Sequence, residues 1–267
     1  MPNGKAIKTY IKSRLKTKFV GRQLYYYHQL ATTMKTAKEL AKKGTAEGTV
    51  IIADTQTAGR GRLGRTWLSP EGSLAISLIL KPSLDNLPQL VMIASLAVVR
   101  TIKKVTGLET QIKWPNDVLI KGKKVCGILI ENEVKGDKVN FAIIGVGINV
   151  NFDPLVFPEI ADISTSLSHE LGATISKAAL ISTLLPELEQ LYLEAQAGAP
   201  IYREWQENMG MLGRWIQVKT GEAVEQGKAE TVTENGNLIL RRSDGSLAEI
   251  VAGDVTVTKE YFTICHS

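Results

Sequence analysis

Apolar residues recur along this chain in two periods, and each change of period marks a new element. Ile7, Ile11 and Leu15 stand four apart among lysines within residues 5–18, the spacing of one helix face. Residues 23–28, with Leu24 and three tyrosines, read as a strand. Ala31-Thr32-Thr33-Met34 then leads into Ala37, Leu40 and Ala41 at helical spacing, closed by Gly44. A threonine pair just ahead of a helix predicts an N-cap, and the same hydroxyls and free N–H groups are suited to a ligand. Residues 49–53 and 73–80 are short, mostly apolar runs, the pattern of strands covered on both faces. Residues 87–105 predict a helix with Leu90, Ile93, Ala94 and Ala97 on one side.

The period then returns to two. Ile112-Lys113-Trp114-Pro115-Asn116-Asp117 is a strand end forced into a turn by proline. Turns at Lys121-Gly122-Lys123 and Lys135-Gly136-Asp137 make residues 110–150 an antiparallel meander, with Gly127, Gly145 and Gly147 inside its strands. Glycines within strands mark close approach by a ligand or another backbone. Helical patterns follow over 163–171, 176–196 and 201–208, with Pro186 expected to kink or split the second. From Met211 onward five short β-type runs end at residue 258, which predicts a small barrel and a boundary near residue 209.

Composition narrows the class. An apolar fraction of 44% and a charged fraction of 22% are those of a soluble globular protein. Lys5, Lys8, Lys12, Arg14, Lys16, Lys18 and Arg22 precede the first acidic residue, Glu39. These seven charges exceed the whole net charge of +5, so the remainder is near neutral and unsuited to a large nucleic-acid surface. The segment 1–22 reads as a solvated helix on the body, too short for a DNA-binding domain; a basic arm on nucleic acid is the alternative. No apolar stretch suggests a leader or a membrane span, so a cytoplasmic location is expected. Cys126 and Cys265 are far apart, and His28, His169 and His266 are isolated, which argues against a metal cluster or a histidine triad.

The stretch Gly59-Arg60-Gly61-Arg62-Leu63-Gly64-Arg65 carries the candidate chemistry. Glycine permits close backbone approach, and arginine offers a planar fork to carboxylate and phosphate oxygens. A surface turn is the bland reading. Gly59-x-Gly61-x-x-Gly64 matches a dinucleotide fingerprint, but the following Thr66-Trp-Leu-Ser-Pro-Glu-Gly is a poor helix and runs into a strand, so the fingerprint's context is missing. Tethered between two buried strands, the stretch reads instead as an anchored lid.

Gln56-Thr-Ala-Gly-Arg-Gly-Arg-Leu-Gly-Arg-Thr-Trp67, Lys113-Trp-Pro-Asn-Asp117, Lys124-Val-Cys-Gly-Ile-Leu-Ile-Glu131 and Gly145-Val-Gly-Ile-Asn149 stand in one order along the chain. Together they resemble the signature blocks of biotin protein ligases, over about residues 23–265. The resemblance implies an α/β (α+β) fold: a mixed, largely antiparallel sheet with helices over 23–208, class II synthetase-like, and an SH3-like β-barrel over 209–267. It implies two steps. Biotin's carboxylate attacks the α-phosphate of ATP with Mg²⁺, and a lysine of a biotin carboxyl carrier protein then takes the biotinyl group. It also implies roles. Thr32, Thr33 and Gln56 would bond the ureido head of biotin. Arg60, Gly61, Arg62 and Lys124 would hold its carboxylate, with Gly127 and Gly147 leaving room. Arg62, Arg65, Trp67, Asn116, Asp117 and Asn149 would bind ATP, and Asp117 the metal. Arg60, Arg62, Lys113 and Lys124 would be catalytic, and Arg60→Gly would let adenylate escape. A homodimer is left open, and lipoate or octanoyl ligation is the neighbouring alternative. Taken singly, Trp67 and Trp114 also suit a core, Asp117 a turn cap, Lys124 a solvated hairpin and Gly145 packing. Where the family reads Ser-Thr-Asn, this chain has Thr32-Thr33-Met34, and methionine supplies no amide. Cys126 reads as packing.

Overall fold

The structure, a computed structural model, describes residues 4–257, with side chains from Ile7 onward. Cys265, His266 and the end of the last expected strand, Thr258, lie outside the described residues. The chain runs α1 (Gly4–Arg14), β1 (Leu24–Leu30), α2 (Thr33–Lys42), β2 (Val50–Gln56), β3 (Ser73–Leu80), α3 (Leu90–Thr106), β4 (Gln111–Lys113), β5 (Asp117–Ile120), β6 (Lys123–Lys135) and β7 (Lys138–Asn149). After these come α4 (Leu167–Leu171), α5 (Lys177–Gln196), α6 (Ile201–Glu207), β8 (Trp215–Thr220), β9 (Ala223–Val232), β10 (Leu238–Arg241), β11 (Leu247–Ile250) and β12 (Asp254–Val257).

Seven strands form one sheet in the order β1-β2-β3-β7-β6-β5-β4. Only β1 and β2 are parallel; every other neighbouring pair is antiparallel. All eight residues of β3 are buried, as its mostly apolar run requires at the sheet centre. One face carries Ile52, Ile76, Leu78, Ile144, Val146 and Ile148 into the main core with α3 and α5. The other face presents Ile51, Ile79, Phe141 and Ile143 to Met34 and Ala37 of α2. That second layer is short and covers only part of its face.

The basic segment belongs to the body. Ile11 of α1 is fully buried, and the helix packs on α5 and β1. The turn after it is tied down by buried Glu189, whose carboxylate accepts from the N–H groups of Phe19 at 2.8 Å and Val20 at 2.9 Å, and also from that of Lys18. Glu189→Ala leaves three donors without their acceptor, and a loss of about 2–4 kcal/mol is expected. Chemical denaturation measures it; an unchanged midpoint would refute the anchor.

Two expectations change. The helix read over 163–171 is only α4, capped by Ser166; ahead of it the backbone of 163–165 bonds to Lys124 instead. Nor does Pro186 split its helix, since α5 runs on to Gln196. Leu184, Leu185 and Leu188 are buried on either side of the proline, and their packing offsets the missing N–H bond.

The five C-terminal strands form an antiparallel sheet in the order β11-β10-β9-β8-β12. The segment between α6 and β8, where the boundary was expected, carries buried Met209 and Met211 into the same core. Fully buried Trp114 joins the two sheets, its indole N–H donating to the Gly236 carbonyl at 2.8 Å.

Candidate active site

Strand alternation opens a trough on the α2 face of the large sheet. Along β7, Ile144, Val146 and Ile148 point into the main core, so residues 145, 147 and 149 face the other way. Two of those three are glycine. Gly147 lies opposite Gly127 of β6, and Gly145 opposite Leu129, so a stretch of floor carries no side chains. The resulting cavity is about 480 Å³, the size of a small-molecule site. Every site residue expected from sequence lines it except Thr32. Thr32 is the buried N-cap of α2, where its hydroxyl accepts from the Met34 N–H.

One end of the trough is neutral and polar. Gln56 Oε1 accepts from Thr33 N–H at 2.8 Å and Thr33 Oγ1 at 3.2 Å. Thr33 Oγ1 in turn accepts from buried Ser77 Oγ at 2.8 Å. Sequence reasoning missed Ser77, though a lone serine inside the apolar run of β3 was the available signal. Met34 turns its thioether against Gly145 and lines the wall.

The other end is charged. Arg60, Arg62, Arg65, Lys113 and Lys124 line it, facing Asp117, Asp162 and Asp254. The arginine stretch folds on itself: Gly61 N–H donates to Arg65 O at 2.7 Å, and Trp67 N–H to Gly59 O at 3.0 Å. A Cβ at Gly59 would lie 2.3 Å from the Trp67 carbonyl, so only glycine lets the two limbs meet. Leu63 at its tip is left-handed (φ 55°) and 71% exposed. Arg60 is exposed, whereas half-buried Arg62 reaches inward and donates to Asn116 Oδ1 at 2.9 Å. Burial lowers the Arg62 pKa from its ordinary value, with Asp254 and Asp117 opposing that shift. Asn116 is itself fixed to β6, donating to Ile128 O at 2.8 Å.

Lys124 Nζ stands 2.7 Å from Asp117 Oδ1 and 5.3 Å from the centre of the Trp67 ring. The indole of Trp67 lies over the glycine floor, and its buried Nε1 has no hydrogen-bond partner among the described residues. Asn149 Nδ2 donates to the Thr165 carbonyl at 2.9 Å and the Lys124 carbonyl at 3.4 Å, so this side chain clamps the strand that carries Lys124. Residues Ile160, Asp162, Ile163 and Ser164 complete the wall.

This arrangement suits anions. Cationic side chains gather at one end of a glycine floor, and preorganised charges of that kind stabilise charge developing between two reacting anions. Burial pushes the Cys126 thiol up, so it is not a nucleophile. The described residues contain no group of three or more histidines, cysteines or carboxylates placed to hold a metal ion, and of the carboxylates in the trough Asp117 is the one paired with Lys124.

Comparison with known proteins gives the same reading. Residues 26–149 match the biotin/lipoate A/B protein ligase family, and residues 211–257 match the biotin protein ligase C-terminal domain. The bifunctional ligase/repressor BirA of Bacillus subtilis is 41% identical over 258 residues, covering 94% of this chain and 79% of the relative. The biotin–[acetyl-CoA-carboxylase] ligase of Paracoccus denitrificans is 35% identical, covering 81% and 94%. Among solved structures, the Aquifex aeolicus biotin protein ligase in complex with biotin and ATP superposes with a TM-score of 0.77 at 30% identity, over 90% of this chain and 100% of that one. By sequence, fold and the residues around its trough, the chain belongs to the biotin protein ligases.

Proposed function

We propose that this chain joins biotin to a lysine of a biotin carboxyl carrier protein by way of biotinyl-5′-AMP. The glycine-floored trough carries the reading, because its neutral end and its cationic end suit the two ends of one ligand. Thr33 and Gln56, steadied by Ser77, are placed for the ureido head. Met34 lines the wall with its thioether. Arg62 and Lys124 are placed where the carboxylate and α-phosphate must meet. Two anions approach there, and positioning by fixed cations lowers the barrier without an enzyme nucleophile. Trp67, with its unpartnered indole N–H, faces the adenine side.

In the first step a biotin carboxylate oxygen bonds to the α-phosphorus and pyrophosphate leaves. In the second the carrier lysine's amine attacks the acyl carbon, AMP leaves, and an amide forms with loss of the amine's proton. Mg²⁺ would be carried on the nucleotide phosphates, and Asp117, whose Oδ1 stands 2.7 Å from Lys124 Nζ, would supply it a carboxylate, the usual arrangement when a protein offers few ligands of its own. It would neutralise phosphate charge. The C-terminal sheet, packed on the same core, would close one side of the trough through Asp254. Pairing of two copies would use the edge strand β1, since the outer edge of β4 is bridged by Met209.

The test is incubation with ATP, Mg²⁺, biotin and a carrier domain, followed by avidin detection. Carrier labelled with lipoate and not with biotin would overturn the reading. The lid role belongs chiefly to Arg62, since Arg60 is exposed. Arg62→Gly should release adenylate and label bystander lysines, and Arg60→Gly should do so less. Equal bystander labelling by both variants counts against that division.

A further inference from the structure

The arginine stretch is a self-bonded knob: its backbone bonds run between Gly61 and Arg65, Arg65 and Arg62, and Trp67 and Gly59. What fixes its place over the trough is therefore its side chains. Arg62 Nη1 reaches Asn116 and, at 3.4 Å, the carbonyl of Gly253; Arg65 pairs with the carboxylate of Asp254. Both outer contacts fall on one two-residue step of the C-terminal sheet. That step is itself rigid. Asp254 pairs with Lys219 in the β12–β8 ladder, and Thr220 Oγ1 donates to the Ala252 carbonyl at 2.7 Å. A Cβ on Gly253 would lie 2.6 Å from Val218 Cγ1, so the step is seated closely on β8.

We propose that Asp254 is a positioning residue for the ligase reaction: from the C-terminal sheet it holds the Arg65 guanidinium, and with Gly253 it holds the arginine knob over the nucleotide end of the trough. Arg65 is 65% exposed and Asp254 30%, so the pair is open to exchange with phosphate. It acts as a tether that keeps the knob near its working position before the nucleotide arrives. A neutral side chain at 254 would leave the C-terminal sheet folded and the knob loose.

The inference rests on the ligase reading for its kinetic arm, while a second arm needs no ligand. Asp254→Asn is expected to raise the KM for ATP about two- to fivefold, the range of a partly exposed ion pair. The kcat at saturating ATP should stay within about twofold, and adenylate should leave the enzyme correspondingly faster. Asp254→Glu, which keeps the charge, should restore both. In an Arg65→Gln background Asp254→Asn should add nothing to the KM. In the ligand-free protein, amide hydrogen exchange over residues 59–65 should quicken in Asp254→Asn and not in Asp254→Glu. Unchanged KM and exchange in Asp254→Asn would overturn the proposal, as would a full additional effect in the Arg65→Gln background or no rescue by glutamate. A parent enzyme that labels no carrier overturns the ligase reading instead, and the exchange experiment still decides the tether.

Discussion

Lys124→Gln is expected to slow adenylate formation about 10²- to 10³-fold, the usual cost of removing one preorganised charge from a reacting centre. The lysine's position explains the size. Its ammonium lies 2.7 Å from Asp117 and over the Trp67 ring, in the wall of the trough. A strand of regular pleat would not put it there. Gly127 faces the trough, and alternation would give Val125 the same face and Lys124 the core side. The pairing instead shifts between Val118 and Leu119: Val118 lies opposite Cys126, and Leu119 opposite Lys124. That bulge sends Val125 into the core and turns Lys124 to the trough, as bulges beside active sites do. Single-turnover release of pyrophosphate measures the effect. A variant within about tenfold of the parent would remove Lys124 from the chemistry.

Gly147→Val is expected to weaken ATP binding about 10- to 100-fold, within the 1–3 kcal/mol that aromatic stacking on a base supplies. Even a single Cβ there would lie 2.5 Å from Trp67 Cε2 and 2.6 Å from Nε1. The indole must leave its seat over the floor, because a rigid bicyclic ring has no short side movement available. Gly145→Ala is the matched control. Its Cβ would lie 2.6 Å from Met34 Sδ, and a thioether with three rotatable bonds can swing aside. Calorimetric titration with ATP, with unfolding midpoints measured alongside, separates site from fold. Equal losses for the two variants would mean that the floor, and not Trp67, sets the affinity.

Most of the large sheet was legible because its strands have unambiguous periods. The run at 73–80 reappears as β3, and the turns around Gly122 and Gly136 appear between β5 and β6 and between β6 and β7. The 163–171 helix was misread because apolar spacing does not reveal that 163–165 bonds to the backbone of Lys124. The helix is not split at Pro186 because a proline's cost is local whereas the burial that offsets it comes from α3, far away in sequence.

The site divides in the same way. Residue chemistry by itself pointed to the open floor at Gly127 and Gly147 and to a cationic arginine stretch, both of which line the trough. These follow from side-chain size and charge, which each residue carries wherever it sits. Tertiary structure alone decided that Asn149 clamps Lys124, that Arg62 rather than Arg60 points inward, and that Asp254 reaches the arginine stretch from 189 residues away. Each depends on which partner a polar group meets. Hydrogen bonds and ion pairs are short-ranged, so their partners exist only once the chain has brought distant segments within about 3 Å.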